Sequence, residues 1–213
     1  RGLRNVKTPN LDALARQGYA DAMKRYEALD GYKDSRDKLT LCRYELAKAA
    51  AQSGDYQAAM ESFAALGSYG DSPALLEDAA YELAQSYEGK DDAEGMLELL
   101  PRLEGMENAA NKLRELLLNE GAQLEGQGDD QKAADLYAKL GDVALDRYHG
   151  CLYRMAQARR DAGEIREAGD AFLALADFED AADQSRDCYY QLFCAQAASA
   201  RDAMEREDYR MAI

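Results

Sequence analysis

Four cysteines, Cys42, Cys151, Cys188 and Cys194, and a single histidine, His149, have the widest chemical repertoire in this 213-residue sequence. Thiolates and imidazoles are what zinc or redox sites need, and both uses impose spacing. No C-x-x-C pair occurs, and no second histidine is present to build a common zinc site. Cys42, Cys151 and Cys188 instead stand two residues before Tyr44, Tyr153 and Tyr190, where Ala79 and Leu116 hold the equivalent places. A place that takes Cys, Ala or Leu reads as core packing, in which a thiol acts as a small apolar group. Disulfides are not implied, though a bridge between neighbouring repeats stays open. His149 sits in the polar stretch RYHG, read as a loop, with no recognisable nucleophile paired to it. The acidic run GKDDAEG, Gly89–Gly95, lacks an EF-hand loop pattern. GQGDDQ, Gly126–Gln131, is followed by no Lys-Ser/Thr pair that would make it a phosphate cradle. Both read as solvated turns. The expectation is no catalytic residue, no metal site and no cofactor.

The elements that carry these residues recur along the chain. From Tyr44, the pattern YELAKAAAQSGDYQAAMESFAAL returns at Tyr81 after 37 residues, at Leu118 after 37, at Tyr153 after 35 and at Tyr190 after 37. Ala47, Ala84 and Ala156 stay three residues behind their tyrosines. Turns follow at Gly54, Gly128 and Gly163, then Ala59, Ala133 and Ala168, then Phe63, Tyr137 and Phe172. A half-repeat with Gly18, Tyr19, Met23, Tyr26, Leu29, Tyr32, Asp34 and Ser35 precedes them. Recurrence at such a period marks a repeat array. The units run approximately 8–43, 44–80, 81–117, 118–152, 153–189 and a truncated 190–213, about five repeats in one array over 1–213.

Within a unit, Tyr56, Ala59, Met60, Phe63 and Leu66 recur at three- and four-residue steps, one face of a helix. Gly54 suits the helix stop before it, and Asp55 can cap the new helix. Asp-Ser pairs at Asp34–Ser35 and Asp71–Ser72 predict the next start, with Ser72 as N-cap and Pro73 in the first helical position. Each unit is therefore expected to pair a helix of about 16–18 residues with one of about 11. Pro101 is expected to end or kink the short helix of the third unit. That unit lacks Asp-Ser, and Asn108 is the substitute cap. The fourth unit loses two residues in its connecting loop, around Asp146–His149. After Tyr190 no glycine stops the helix, so it is expected to run on about two turns before Glu207–Ile213 opens another.

Composition agrees with helix: hydrophobic residues are 47%, with only three prolines. The formal charge of −15 opposes phosphate backbones and anionic lipid, so no nucleic-acid partner is expected. No apolar run nears the roughly 20 residues that a membrane helix requires, so this segment is expected not to insert in a membrane. The first residue is Arg1, which suggests a piece of a longer protein.

A small residue in the first helix, then G-D-Y, Ala and a large aromatic, here Ala47, Gly54, Asp55, Tyr56, Ala59 and Phe63, resemble the tetratricopeptide class. The similarity spans almost the whole chain. The preceding Tyr and the Y-x-D-S connector look more like variant repeats of Gram-positive bacterial proteins, often multidomain and membrane-anchored. The resemblance implies an all-α, right-handed α-solenoid of antiparallel helix pairs that binds proteins or peptides. It also implies a groove lined by the first helix of each pair. The matching groove positions are Lys48, Gln85, Glu88, Glu125, Gln157 and Arg160. Their charge varies between repeats, so they form no carboxylate-binding clamp. KTPNLDALARQG, Lys7–Gly18, is similar to a short stretch of the alkaline-phosphatase and sulfatase superfamily, which would set Thr8 and Asp12 near a metal. LDALARQG equally fits a repeat helix, and the metal ligands, nucleophile and parallel-sheet pattern are absent.

The resulting expectation is a non-catalytic protein- or peptide-binding scaffold, with a structural spacer as the alternative and a metal-dependent phosphatase-like fragment as a remote one. Its compartment is left open between the cytoplasm and an exposed domain of a membrane-anchored parent. The repeat tyrosines could pack between repeats or form an aromatic ladder along the groove.

Overall fold

The computed structural model describes residues 11–211, positions 91 and 176 apart. The described residues are all-helical, without strand. The helices are α1 (Leu11–Ala28), α2 (Ser35–Gln52), α3 (Tyr56–Leu66), α4 (Ser72–Gln85) and α5 (Ala93–Leu99). They continue with α6 (Glu107–Gly126), α7 (Asp130–Leu140), α8 (Leu145–Asp161), α9 (Ile165–Ala174) and α10 (Ala181–Met211). The chain forms two compact units, divided within α6 between Leu116 and Leu117. In the first unit α1 packs on α2, α2 on α3 and α3 on α4; in the second α7 packs on α8, α8 on α9 and α9 on α10. Among the described residues no helix is long and apolar enough to cross a membrane.

The long and short helices are joined by one repeated turn. Gly54 adopts φ +81°, the left-handed region that costs glycine least. The Gly54 N–H then donates to the Ala51 carbonyl and the Asp55 N–H to the Ala50 carbonyl, the paired bonds of a Schellman stop. Asp55 at once becomes the next N-cap, its carboxylate accepting from the Ala58 N–H at 3.3 Å. Gly128–Asp129 and Gly163–Glu164 repeat both backbone bonds. Asp129 also caps, accepting from the Lys132 N–H at 3.3 Å. Glu164 makes no side-chain cap bond. The glycine and its two backbone bonds thus reverse the chain within three residues, and at two of the three turns a carboxylate also caps the next helix.

Small buried residues let adjacent helices approach. Ala47, Ala84 and Ala156 are at most 1% exposed on the long helices, as are Ala59, Ala133 and Ala168 on the short ones. Gly121 takes the small place in α6, where a Cβ would lie 2.7 Å from the Tyr137 hydroxyl and closer still to its ring. Phe63, Tyr137 and Phe172 fill the space beside them, buried to 1% or less. Each such ring contributes about 1.5–3 kcal/mol on burial.

Several local expectations are corrected. Ser72 and Ser35 are not N-caps: they are the first helical residues, buried, and the helices are preceded by Asp71 and Asp34. Their place is a small core position, held elsewhere by buried Ala109, Ala144 and Ala181. Asn108 lies inside α6, since that helix starts at Glu107. Residues 146–149 are not a loop but the first turns of α8, and the connection contracts instead into a 3-10 turn over Gly141–Ala144. Nothing in LDRY breaks a helix, so α8 begins at Leu145. Gly18 lies within α1 and makes no turn; flanked by good helix formers, it is carried through. No second helix opens at Glu207 among the described residues, because α10 runs unbroken for 31 residues to Met211. Pro101 acts as expected: α5 stops at Leu99 after seven residues and a 3-10 turn, Leu100–Leu103, takes over.

The hydroxyl oxygens of Ser35 and Ser72 are buried without a hydrogen-bond partner. An unsatisfied buried hydroxyl is destabilising by about 1–3 kcal/mol. Ser72→Ala is therefore expected to stabilise the chain by about 1 kcal/mol in denaturant unfolding. A capping role would give the opposite sign, a loss of about 1 kcal/mol.

Candidate functional site

The repeat tyrosines meet a partner that spacing alone did not reveal. The Tyr44 hydroxyl donates to Asp71, 27 residues on, at the start of α4. The Tyr153 hydroxyl donates to Asp180, also 27 residues on, at the start of α10. The rings are packed alike. Tyr44 meets Phe63 edge-on at 6.2 Å and Tyr69 at 5.6 Å. Tyr153 meets Phe172 edge-on at 5.3 Å and Phe178 at a tilt at 6.0 Å. Such edge contacts suit the ring quadrupoles. Asp71 makes no cap bond to its own helix, and its carboxylate serves the tyrosine of the helix before. We call this arrangement the clasp. The bond to Asp71 pushes the Tyr44 phenol up to about 12. Asp180 is held below its ordinary value, first by Tyr153 and then by Gln184.

The fourth repeat replaces the clasp with a charged network. Leu118 stands in place of the tyrosine, and the Tyr137 hydroxyl from α7 donates to Glu125 at 2.6 Å. Arg154 joins Glu125 at 3.0 Å and Asp130 at 2.6 Å, while Arg147 lies 3.7 Å from Glu125. Desolvation, then the bond to Glu125, pushes Tyr137 up to about 12.

The third repeat has neither arrangement. Leu100 and Met106 stand in the ring positions and Asn108 in the aspartate position. Tyr81 is 39% exposed, and its hydroxyl has no partner among the described residues. Between α4 and α6 a cleft of about 640 Å³ opens, lined by Glu77, Asp78, Tyr81, Glu82, Asn108, Asn111, Lys112 and Glu115. The carboxylates of Glu77, Asp78, Glu82 and Glu115 carry no ion pair among the described residues. Lys112 is turned to Glu88 at 3.4 Å. Asp78 and Glu82 stand one helical turn apart, a like-charge pair that opposes helix stability by roughly 0.2–0.5 kcal/mol. Accessible, unpaired and mutually repelling groups make this cleft the candidate site.

The groove candidates are not gathered into one site. Lys48 pairs with Glu45 at 3.8 Å and lies over the Tyr44 ring at 5.2 Å. Gln85 is exposed, and Glu88 holds Lys112. Glu125 belongs to the charged network of the fourth repeat. Gln157 opposes the rise that Asp180 causes in the Tyr153 phenol, and Arg160 donates to Gln184 beside the Tyr153 clasp. Asp71 and Asp180 are not legible as partners from local pattern, which at Asp71–Ser72 points to Ser72 as the cap. Their signal was the constant 27-residue offset from a tyrosine.

The reactive residues are dispersed. Cys42, Cys151 and Cys188 are buried and unbridged, Cys194 is exposed, and burial pushes the three buried thiols up. A raised thiol is a poor nucleophile. His149 lies in α8, its ring 5.7 Å from those of Tyr148 and Phe178. Asp12 falls within α1, whereas Thr8 lies outside the described residues. Among the described residues no three His, Cys, Asp or Glu side chains gather as a metal-holding group. The chain matches no protein-family model, no curated protein and no solved structure.

Because the Tyr44 phenol rises from 10.0 to about 12 on folding, its stabilisation is complete below pH 10. It is lost as pH climbs through about 12, since the unfolded phenol ionises first. Alkaline titration followed by tyrosinate absorbance is expected to lose one late-ionising phenol in Tyr44→Phe, with the early ones unchanged. Stability measured over the same interval is expected to fall less steeply in that variant. Removal of an early-ionising phenol would contradict the clasp.

Proposed function

We propose that the chain is a non-catalytic binding module, built as a right-handed α-solenoid of antiparallel, tetratricopeptide-like helix pairs, that engages a protein or peptide. The fold part of this reading is supported by the recurrence of one turn, one small-residue interface and one clasp at the repeat spacing. Hairpins that bury their apolar faces only against their neighbours extend into arrays with long accessible surfaces. The binding part rests on the α4–α6 cleft, where the clasp is absent and four unpaired carboxylates flank an exposed ring. Its volume falls within the roughly 300–1,000 Å³ of ordinary ligand sites.

A second reading, a structural spacer within a larger and possibly membrane-anchored bacterial protein, is favoured by a different observation. Three of the groove candidates are occupied in braces: Glu88, after α4, with Lys112 of α6, Glu125 of α6 with Arg147 of α8, and Arg160 of α8 with Gln184 of α10. Side chains spent on such braces stiffen an array and leave less surface for a partner.

Selection from a displayed random-peptide library separates the two. A binding module is expected to enrich a convergent peptide pattern whose affinity drops several-fold in Tyr81→Ala and stays level in Tyr190→Ala. Absence of any convergent sequence would overturn the binding reading and favour the spacer.

A further inference from the structure

The cleft differs from its counterpart in the second repeat in what covers the tyrosine ring. Over Tyr44 the Lys48 ammonium sits 5.2 Å from the ring centroid, and the phenol is engaged by Asp71. One repeat later Gln85 replaces that lysine and Asn108 replaces that aspartate. The Tyr81 ring therefore has neither the cation nor the acceptor that its equivalent has, and it stays 39% exposed. The same chain sets Arg160 over Phe172 and Arg147 over Tyr137, each 6.0 Å from the centroid. A cation over an aromatic ring is thus a contact this scaffold uses repeatedly; in the third repeat Lys90 lies over Tyr87 at 5.3 Å, and no cation covers Tyr81 among the described residues.

Around that ring the charge is one-sided. Glu77, Asp78 and Glu82 on α4 and Glu115 on α6 line the cleft, and its ammonium, Lys112, is held by Glu88. The α4 and α6 residues recur at three- and four-residue steps, so each set forms one face of its helix. A guest must be cationic to relieve their repulsion, and flat to stack on Tyr81 while reaching a carboxylate. A guanidinium meets both needs: it is planar, stacks on aromatic faces and binds carboxylates in a two-pronged fashion. The opening of about 640 Å³ exceeds one side chain, leaving room for the backbone that carries it.

Resting on the binding-module reading, we infer that the α4–α6 cleft docks an arginine-bearing basic segment of a partner protein, its guanidinium over Tyr81 and between Glu82 and Glu115. Asn108 and Asn111 offer amide groups to the segment's backbone. Lys112 and Glu88 close one side of the cleft.

The test is fluorescence polarisation on the full chain with a labelled Gly/Ser peptide carrying three arginines, beside matched lysine, glutamate and leucine peptides. The arginine peptide is expected to bind tightest. Tyr81→Ala is expected to weaken it roughly fivefold, and Glu82→Gln with Glu115→Gln about tenfold. Glu167→Gln with Asp187→Asn, exposed carboxylates of the second unit, removes equal charge and is expected to leave binding unchanged. All of these positions are exposed, and matching melting curves establish that the variants fold. Equal loss in the distant pair would mean diffuse attraction to an acidic surface and would overturn the site. Equal affinity for the lysine peptide would overturn the guanidinium assignment. If only the leucine or glutamate peptide binds, and does so through Tyr81, the inference falls while the binding reading stands. If no peptide binds, both fall.

Discussion

A tyrosine hydroxyl that donates to an aspartate 27 residues further on ties one long helix to the start of the next, at Tyr44–Asp71 and again at Tyr153–Asp180. The bond works only under two conditions that the rest of each unit supplies. Small buried residues such as Ala47 and Ala156 bring the helices close enough for a side chain to span them. Phe63 and Tyr69 meet Tyr44 edge-on, and Phe172 edge-on with a tilted Phe178 holds Tyr153, so that each hydroxyl points at its carboxylate. A charge-assisted bond of this kind is stronger than a neutral one and more demanding of geometry. It therefore sets orientation as well as adding stability.

The two middle repeats keep the helix order but change the parts. In the fourth, the tyrosine moves to the short helix as Tyr137, Gly121 makes room for its ring, and Glu125 accepts its hydrogen bond while arginines neutralise the carboxylate. The interface stays closed by other means. In the third, Pro101 cuts α5 short, both packing rings are lost, and the aspartate becomes an asparagine inside α6. Nothing takes the place of the clasp, and the surface opens into the acidic cleft. The same substitutions leave four carboxylates, unpaired among the described residues, and an exposed ring lining one cleft.

Much of this was legible in the sequence, for physical reasons. The period, the turns at Gly54, Gly128 and Gly163, the lengths of α2, α3, α7 and α8, and the effect of Pro101 arise from local backbone preference. Buried cysteines were legible because Ala79 shares their place. What escaped were contacts between positions far apart in sequence. Ser72 reads as a cap from its neighbours alone, yet tertiary packing makes it a core residue. His149 lies in a polar stretch that looks like a loop, yet no helix breaker enforces one. The cleft was invisible because it arises from an absence, Asn108 and Leu100 where a complete repeat has aspartate and phenylalanine. The groove positions carried over by resemblance are scattered among braces and exposed surface.

The clasp recurs at Tyr44–Asp71 and Tyr153–Asp180, and a pair of double-mutant cycles measures it directly. Tyr153→Phe and Asp180→Asn, alone and together, are compared by chemical unfolding with Tyr81→Phe and Asn108→Ala. A clear favourable coupling is expected between Tyr153 and Asp180, and none between Tyr81 and Asn108. Additive effects at Tyr153 and Asp180, or a coupling of similar size at Tyr81 and Asn108, would contradict the clasp.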